Sequence, residues 1–214
     1  MTDDMDFVYR IIMEYRCGKP IYSSQIADAF QRQFRISEKQ ARKRVSNCLC
    51  RIIRQKRIPE LRMYRRGIYY LTHDTAFGEL PIDREQLIAD KYLLPDIGYE
   101  TGFAFLNQIG MTSQVSRTRV FVSNRAKRSG FRNSEFDITI IPPRETITAE
   151  NKDYFQILDA LDILDQAPID AENPNQILTD HIRKRGMNKE FLTAIAKRCY
   201  PKSVSDKLSE ILKI

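Results

Sequence analysis

A basic segment near the N-terminus carries the side chains of this chain that are best suited to binding chemistry. Lysine and arginine neutralise phosphates, and arginine, lysine, asparagine and serine also bind base edges in the major groove of DNA. Residues of these types recur at helical spacing, largely on one face: Lys39, Arg42, Lys43, Ser46, Asn47 and Arg54. The alternative is a solvated basic face without a partner.

A helix over residues 37–57 is predicted to position these side chains. Ser37 followed by Gln40 has the capping-box spacing of a helix N-terminus. Apolar residues recur every three or four positions on the opposite face, so that face can pack on a core: Ala41, Val45, Cys48, Leu49 and Ile52.

Two helices before the basic segment and a hairpin after it complete an N-terminal domain. Helical spacing predicts one helix over residues 4–16 and a second that begins near residue 22. Three helices of which the last is basic have the order of a helix-turn-helix unit. Residues 61–64 and 68–71 are β-prone and flank a basic turn, which predicts a hairpin. We therefore expect a winged helix-turn-helix domain over residues 1–74.

The hairpin supplies a second set of candidate DNA-binding residues beside the helix. We expect its basic positions to lie at the phosphate backbone. The set comprises Arg62, Tyr64, Arg65 and Arg66. The alternative is an ordinary surface hairpin with charged edge residues.

Positive charge is concentrated in the first third of the chain. Residues 1–74 hold 16 Lys and Arg against 8 Asp and Glu, whereas residues 75–214 hold 19 against 20. A localised basic block is typical of nucleic-acid binding. The block lacks a broad apolar face that would insert into a membrane surface. Because no apolar run of about 18 residues and no apolar leader is present, we expect a cytoplasmic protein without a membrane partner.

The remaining chain predicts a connector over residues 75–97, with a short helix at 84–92, and a C-terminal α/β domain over 98–214. In that domain a helix is predicted at 98–110 and strands at 118–123 and 134–141, which form a small sheet. A helical tail follows, with helices at 151–165, 176–185, 189–198 and 203–212. The fold class expected for the whole chain is α+β.

A second basic segment lies between the two predicted strands of this domain. Residues 117–132 contain six cations and no acid, whereas residues 133–180 contain 11 acids and two cations. The six are Arg117, Arg119, Arg125, Lys127, Arg128 and Arg132. This segment has three possible interpretations: a second nucleic-acid contact, a docking surface for an acidic partner, or a solvated turn.

Residues with catalytic or metal-binding chemistry are sparse. Glu135 and Asp137 would share one face of the predicted strand, and a metal-dependent nuclease that uses them is an alternative function. No suitable lysine follows them in that strand. The four cysteines and two histidines lack zinc-site spacing, so we expect free thiols, no metal and no cofactor. We expect a protein that is not an enzyme; a protein-interaction module without specific DNA binding is a further alternative.

Several segments together resemble the antitoxin component of AbiE abortive-infection toxin–antitoxin systems, the AbiEi-like transcriptional regulators. The similarity lies in Tyr99, Thr101-Gly102, Ala104 to Asn107, Gly110-Met111-Thr112, Ser123-Asn124-Arg125, Arg66 to Tyr70, Gln156 to Leu161 and Tyr200-Pro201. The resemblance implies a winged helix that binds inverted repeats in its own promoter and represses its operon. It also implies a C-terminal domain that supports neutralisation of a nucleotidyltransferase-like toxin, with which it need not form a stable complex. A monomer in solution or a dimer on DNA is compatible with this expectation.

Overall fold

The computed structural model describes residues 3–213, which form a mixed α+β structure. The predicted α+β class is confirmed. The described residues form two compact units, one that ends at Leu87 and one that begins at Ile88. The predicted connector is shared between them, because residues 75–87 pack with the first unit and 88–97 with the second.

The first unit begins with three helices that enclose an apolar core. They are α1 (Asp3–Met13), α2 (Ser23–Phe34) and α3 (Glu38–Arg54). Ile12, Ile26, Phe30 and Leu49 are fully buried where these helices meet. The apolar spacing that predicted each helix is therefore the spacing that fills the core.

Short strands complete the first unit. A three-stranded antiparallel sheet has the order β1-β3-β2, formed by β1 (Ile21–Tyr22), β2 (Leu61–Arg65) and β3 (Ile68–Leu71). The hairpin predicted after the basic helix is thus confirmed. A second, two-stranded hairpin follows, formed by β4 (Asp74–Thr75) and β5 (Gly78–Glu79). The chain then enters α4 (Arg84–Ile88), which continues as a π-helical turn over Ala89–Leu93.

The second unit contains a four-stranded mixed sheet of order β6-β7-β9-β8. Its strands are β6 (Gly98–Thr101), β7 (Arg119–Ser123), β8 (Phe131–Asn133) and β9 (Ile138–Ile141). β7 runs parallel to β9, and the other two pairs are antiparallel. Helix α5 (Gly102–Gln108) follows β6. The register of β6 and β7 places Tyr99 and Thr101 on the same face of the sheet as Val120 and Val122.

Four further helices pack together as the predicted helical tail. They are α6 (Lys152–Ile163), α7 (Pro174–Lys184), α8 (Lys189–Cys199) and α9 (Lys202–Leu212). A short 3-10 turn over Leu164–Gln166 extends α6. Helix α6 packs against β6, α5, α8 and α9, so it is the central element of this unit.

Two predictions for the second unit are wrong. Residues 98–101, predicted as the start of a helix, form β6 because they pair with β7. Gly98 fits there because a Cβ atom would lie 2.4 Å from the carbonyl oxygens of Tyr92 and Val122. Residues 134–137, predicted as strand, form the turn between β8 and β9. Asp137 adopts a positive φ of 55° there, a conformation that aspartate tolerates better than most residues.

Candidate nucleic-acid interface

Helix α3 presents one buried and one exposed face, as its sequence predicts. The Ser37 hydroxyl accepts a hydrogen bond from the Gln40 backbone N–H at 3.3 Å, and the Gln40 side chain accepts one from the Ser37 N–H at 3.2 Å. This capping box satisfies two free N–H groups of the first turn. The five predicted apolar positions are buried, and all six predicted polar positions are exposed.

Intramolecular ion pairs distinguish the cations of α3 from one another. Arg44 forms a salt bridge with Asp4 of α1 and lies 5.1 Å from the centroid of the Phe30 ring, so it stabilises the packing of the three helices. Arg42 pairs with Glu38 at 2.6 Å, but both side chains are about 60% exposed, and such pairs contribute little. The other cations on this helix form no salt bridge within residues 3–213: Lys39, Lys43, Arg51 and Arg54.

Arg51 belongs to the exposed face but was not among the predicted residues. It lines a shallow depression with Asn47, Cys50 and Arg54. Asn47, Arg51 and Arg54 are spaced by four and three residues, so helical periodicity alone could have identified it. The depression combines cations with a hydrogen-bonding amide, which is the chemistry expected of a surface that contacts bases and phosphates.

A polar groove lies beside this face, between α3, the start of α2 and the β2–β3 hairpin. It is lined by Ser23, Ser24, Arg42, Ser46, Arg66, Gly67 and Tyr69. The carbonyl of Gly67 accepts a hydrogen bond from the Ser23 N–H at 2.9 Å, which fixes the hairpin turn against α2. Gly67 has a φ of 85°, which glycine adopts without strain. The side chain of Tyr22, the N-cap residue of α2, makes no capping hydrogen bond within residues 3–213, and helix N-termini attract anions.

The four predicted hairpin residues have different environments. Arg62 donates to both carboxylate oxygens of Glu79, at 3.2 and 2.5 Å, and to the Pro59 carbonyl. These hydrogen bonds lower the pKa of Glu79 and hold Arg62 against the second hairpin. The guanidinium of Arg65 lies 5.9 Å from the centroid of the Tyr64 ring. Arg66 is exposed and forms no salt bridge in the part of the chain that the structure describes.

The six cations of residues 117–132 do not form one continuous surface. Arg119 pairs with the buried carboxylate of Glu100 at 2.5 Å, and Arg132 pairs with Asp137 at 2.6 Å. The other four cations are exposed and lie at the two ends of β7, which are about 13 Å apart at the usual rise of a strand. Arg117 precedes the strand, and Arg125, Lys127 and Arg128 follow it.

The prediction that Glu135 and Asp137 share one face of a strand, as a nuclease site would require, is wrong. Glu135 and Asp137 lie in a turn rather than on one face of a strand, and the Asp137 carboxylate is engaged by Arg132. Among residues 3–213, no group of three or more His, Cys, Asp and Glu side chains is placed to hold a metal ion. The four cysteines are free thiols, and Cys48 is buried whereas Cys50 is exposed, so these two point to different sides of α3.

Comparisons with known proteins do not assign this chain to a family. No family model matches the chain, and none of the curated proteins matches it. Within residues 3–213, every helix is too short or too polar to cross a lipid bilayer.

Proposed function

We propose that the first unit is a winged helix-turn-helix domain that binds duplex DNA. In this arrangement α3 enters the major groove, and the β2–β3 hairpin is the wing beside it. The order of three helices followed by a hairpin supports the proposal. So does the excess of cations over anions in residues 1–74, because a protein that releases counterions from DNA needs uncompensated positive charge.

One observation carries this proposal: Lys39, Lys43, Arg51 and Arg54 on the exposed face of α3, and Arg66 at the hairpin turn, form no salt bridge within residues 3–213. Arg44 and Arg62, which point elsewhere, each have one. A solvated basic face without a partner would give no reason for this division. A surface that binds phosphates does, because charges paired within the protein would have to be released before binding.

We further propose that the whole chain is a transcriptional autoregulator and the antitoxin of a toxin–antitoxin pair. The resemblance to AbiEi-like regulators supports this role. Two copies would bind inverted repeats of the chain's own promoter, while the second unit supports neutralisation of a nucleotidyltransferase-like toxin without a stable complex. This function is binding rather than catalysis, and it belongs in the cytoplasm, where DNA is accessible.

The test is a binding titration with DNA from directly upstream of the chain's own gene. Random DNA of equal length is the control, and both are titrated at two salt concentrations. We expect tighter binding to the upstream DNA and a steep salt dependence with both duplexes, because phosphate contacts contribute to each. Equal affinity for both duplexes would contradict the regulatory proposal. Binding that does not depend on salt would contradict the DNA-binding interface itself and favour a protein-interaction module.

A further inference from the structure

A cleft in the second unit lies between the sheet and α6. Its apolar walls come from β7, β9, the segment after β9 and the end of α6: Val120, Val122, Ile141, Pro142, Pro143 and Ile163. Its volume is about 380 Å³, which is within the range of small-molecule sites. The DNA-binding proposal uses none of these residues.

A buried carboxylate lies in the wall of this cleft. The side chain of Asp159 is 16% exposed, and each of its oxygens accepts a hydrogen bond from a tyrosine hydroxyl. Tyr99 donates at 2.8 Å and Tyr200 at 2.6 Å. Burial raises the pKa of Asp159, although both tyrosine hydrogen bonds oppose that shift. Burial also raises the pKa of each tyrosine, so both hydroxyls remain protonated donors.

Arg144 lines the same cleft, but its guanidinium is already engaged. It donates to Asp162 at 2.6 Å and to the Cys199 carbonyl at 3.2 Å. It also lies 4.2 Å from the centroid of the Tyr200 ring and 3.9 Å from Asp159. Arg144 therefore holds the two carboxylates at this end of the cleft. Two carboxylates share one guanidinium, so the polar end of the cleft retains one negative charge when both acids are ionised.

Two polar groups at this end of the cleft keep free hydrogen-bonding capacity within residues 3–213. Within residues 3–213, the second carboxylate oxygen of Asp162 receives no hydrogen bond, and its side chain is 28% exposed. The hydroxyl of Thr101 also makes no hydrogen bond within this range, although the residue is only 5% exposed and lines the cleft. Thr101 lines the cleft and its hydroxyl can both donate and accept a hydrogen bond, so this hydroxyl is available to a ligand there.

We propose that this cleft binds a small organic cation. An ammonium, guanidinium or amidinium group would donate hydrogen bonds to Asp162 and Thr101, and an apolar body would lie against Val120, Val122 and Ile141. The charge at the polar end favours a cation, because two carboxylates, Asp159 and Asp162, face one guanidinium there and an oxygen of Asp162 is free to accept. This inference is independent of DNA binding and assigns the second unit a ligand of its own.

Benzamidine is a suitable probe because it combines an amidinium with a planar apolar ring. Benzamide is its neutral counterpart of similar shape, and benzoate carries the opposite charge. Each probe is titrated into the full chain, and binding is followed by the NMR shifts of the Thr101, Val120 and Val122 amides. Benzamidine should bind about 10-fold more tightly than benzamide, because hydrogen bonds to a charged group add that much free energy of binding. The proposal is overturned if benzamide binds as tightly as benzamidine or if benzoate binds more tightly. It is also overturned if no probe shifts these amides at concentrations up to about 10 mM.

Two variants of α6 test the role assigned to Asp162. Asp162→Asn retains an oxygen that accepts from Arg144 but removes the charge, so the preference for benzamidine over benzamide should fall to about twofold or less. Asp165→Asn is the matched control, because Asp165 pairs with Lys207 and does not line the cleft. An unchanged preference in Asp162→Asn, or an equal loss in Asp165→Asn, would refute the assignment. The unchanged amide spectrum of each free variant checks that it is folded.

Discussion

Replacing Arg66 tests whether unpaired cations, rather than basic composition, form the DNA-binding surface. Arg66 is exposed at the hairpin turn and has no salt bridge within residues 3–213, so Arg66→Ala should leave the fold unchanged. Arg62 lies on the same hairpin but is held by Glu79. The matched control is the double variant Arg62→Ala/Glu79→Ala, which removes an arginine without changing the net charge.

The expected magnitude follows from counterion release. Each phosphate contact contributes a slope of about −0.9 to the dependence of log affinity on log salt. Losing one contact in Arg66→Ala should therefore reduce the steepness of this dependence by about 0.9. Between about 50 and 200 mM salt, a fourfold change, the loss of affinity should be about 3-fold smaller than in the unmodified protein. The double variant should retain the original slope.

Fluorescence anisotropy with random duplex DNA at several salt concentrations measures both slopes. Random DNA is the appropriate target because a phosphate contact acts on all sequences alike. The reasoning fails if the double variant loses as much slope as Arg66→Ala. It also fails if Arg66→Ala retains the full slope, because an unpaired charge would then make no contact with phosphate.

Three further outcomes follow from individual contacts. Asn47→Ala should weaken binding to the upstream DNA by about 1–3 kcal/mol with little effect on random DNA, if this amide contacts a base edge; equal losses in the two anisotropy titrations would contradict that contact. Ser37→Ala removes the cap of α3 and should reduce the free energy of unfolding by about 1 kcal/mol in urea titrations, whereas an unchanged midpoint would show that the capping box contributes nothing. Burial and the nearby Arg185 lower the pKa of His181, so an NMR titration should find its midpoint below that of an unperturbed histidine. Because the unfolded chain then binds more protons, stability should decrease as the pH falls through this pKa, and His181→Gln should remove that dependence.

Local sequence signals were sufficient wherever a single helix face or turn decided the structure. The spacing of Ala41, Val45 and Leu49 predicted the buried face of α3, and Ser37 with Gln40 predicted its first turn. These features involve neighbours within about one turn of helix, so no knowledge of the rest of the chain is needed. The hairpin at residues 61–71 was equally local.

Predictions failed where distant partners determined the backbone. Residues 98–101 precede a true helix, and only their pairing with β7, some 20 positions later, makes them a strand. The cleft of the second unit is an extreme case. Tyr99 and Tyr200 meet Asp159 across 60 and 41 positions, and no periodicity in the sequence relates these three residues.

Ion pairing shows why net charge alone describes the two units incompletely. Residues 133–180 are strongly acidic, but several of their carboxylates are paired with cations in or directly after the last three helices: Glu145 with Arg198, Asp153 with Arg185 and Asp165 with Lys207. The near-neutral charge of residues 75–214 therefore largely reflects pairs formed within the second unit. In the first unit, residues 32–66 contain 13 cations and only two anions. Most of these cations therefore have no neighbouring carboxylate in the sequence with which to pair.

Salt should weaken DNA binding mainly through the unpaired cations of the first unit. Exposed charges without partners generate the long-range field that steers an anionic polymer, and salt screens that field over about 10 Å. Charges paired within the protein contribute little to this field at a distance. A protein organised in this way should associate with DNA through its first unit, and the salt dependence should respond to changes in unpaired cations such as Lys39 and Arg51. Substitutions of paired cations such as Arg185 or Arg198 should instead affect the stability of the second unit.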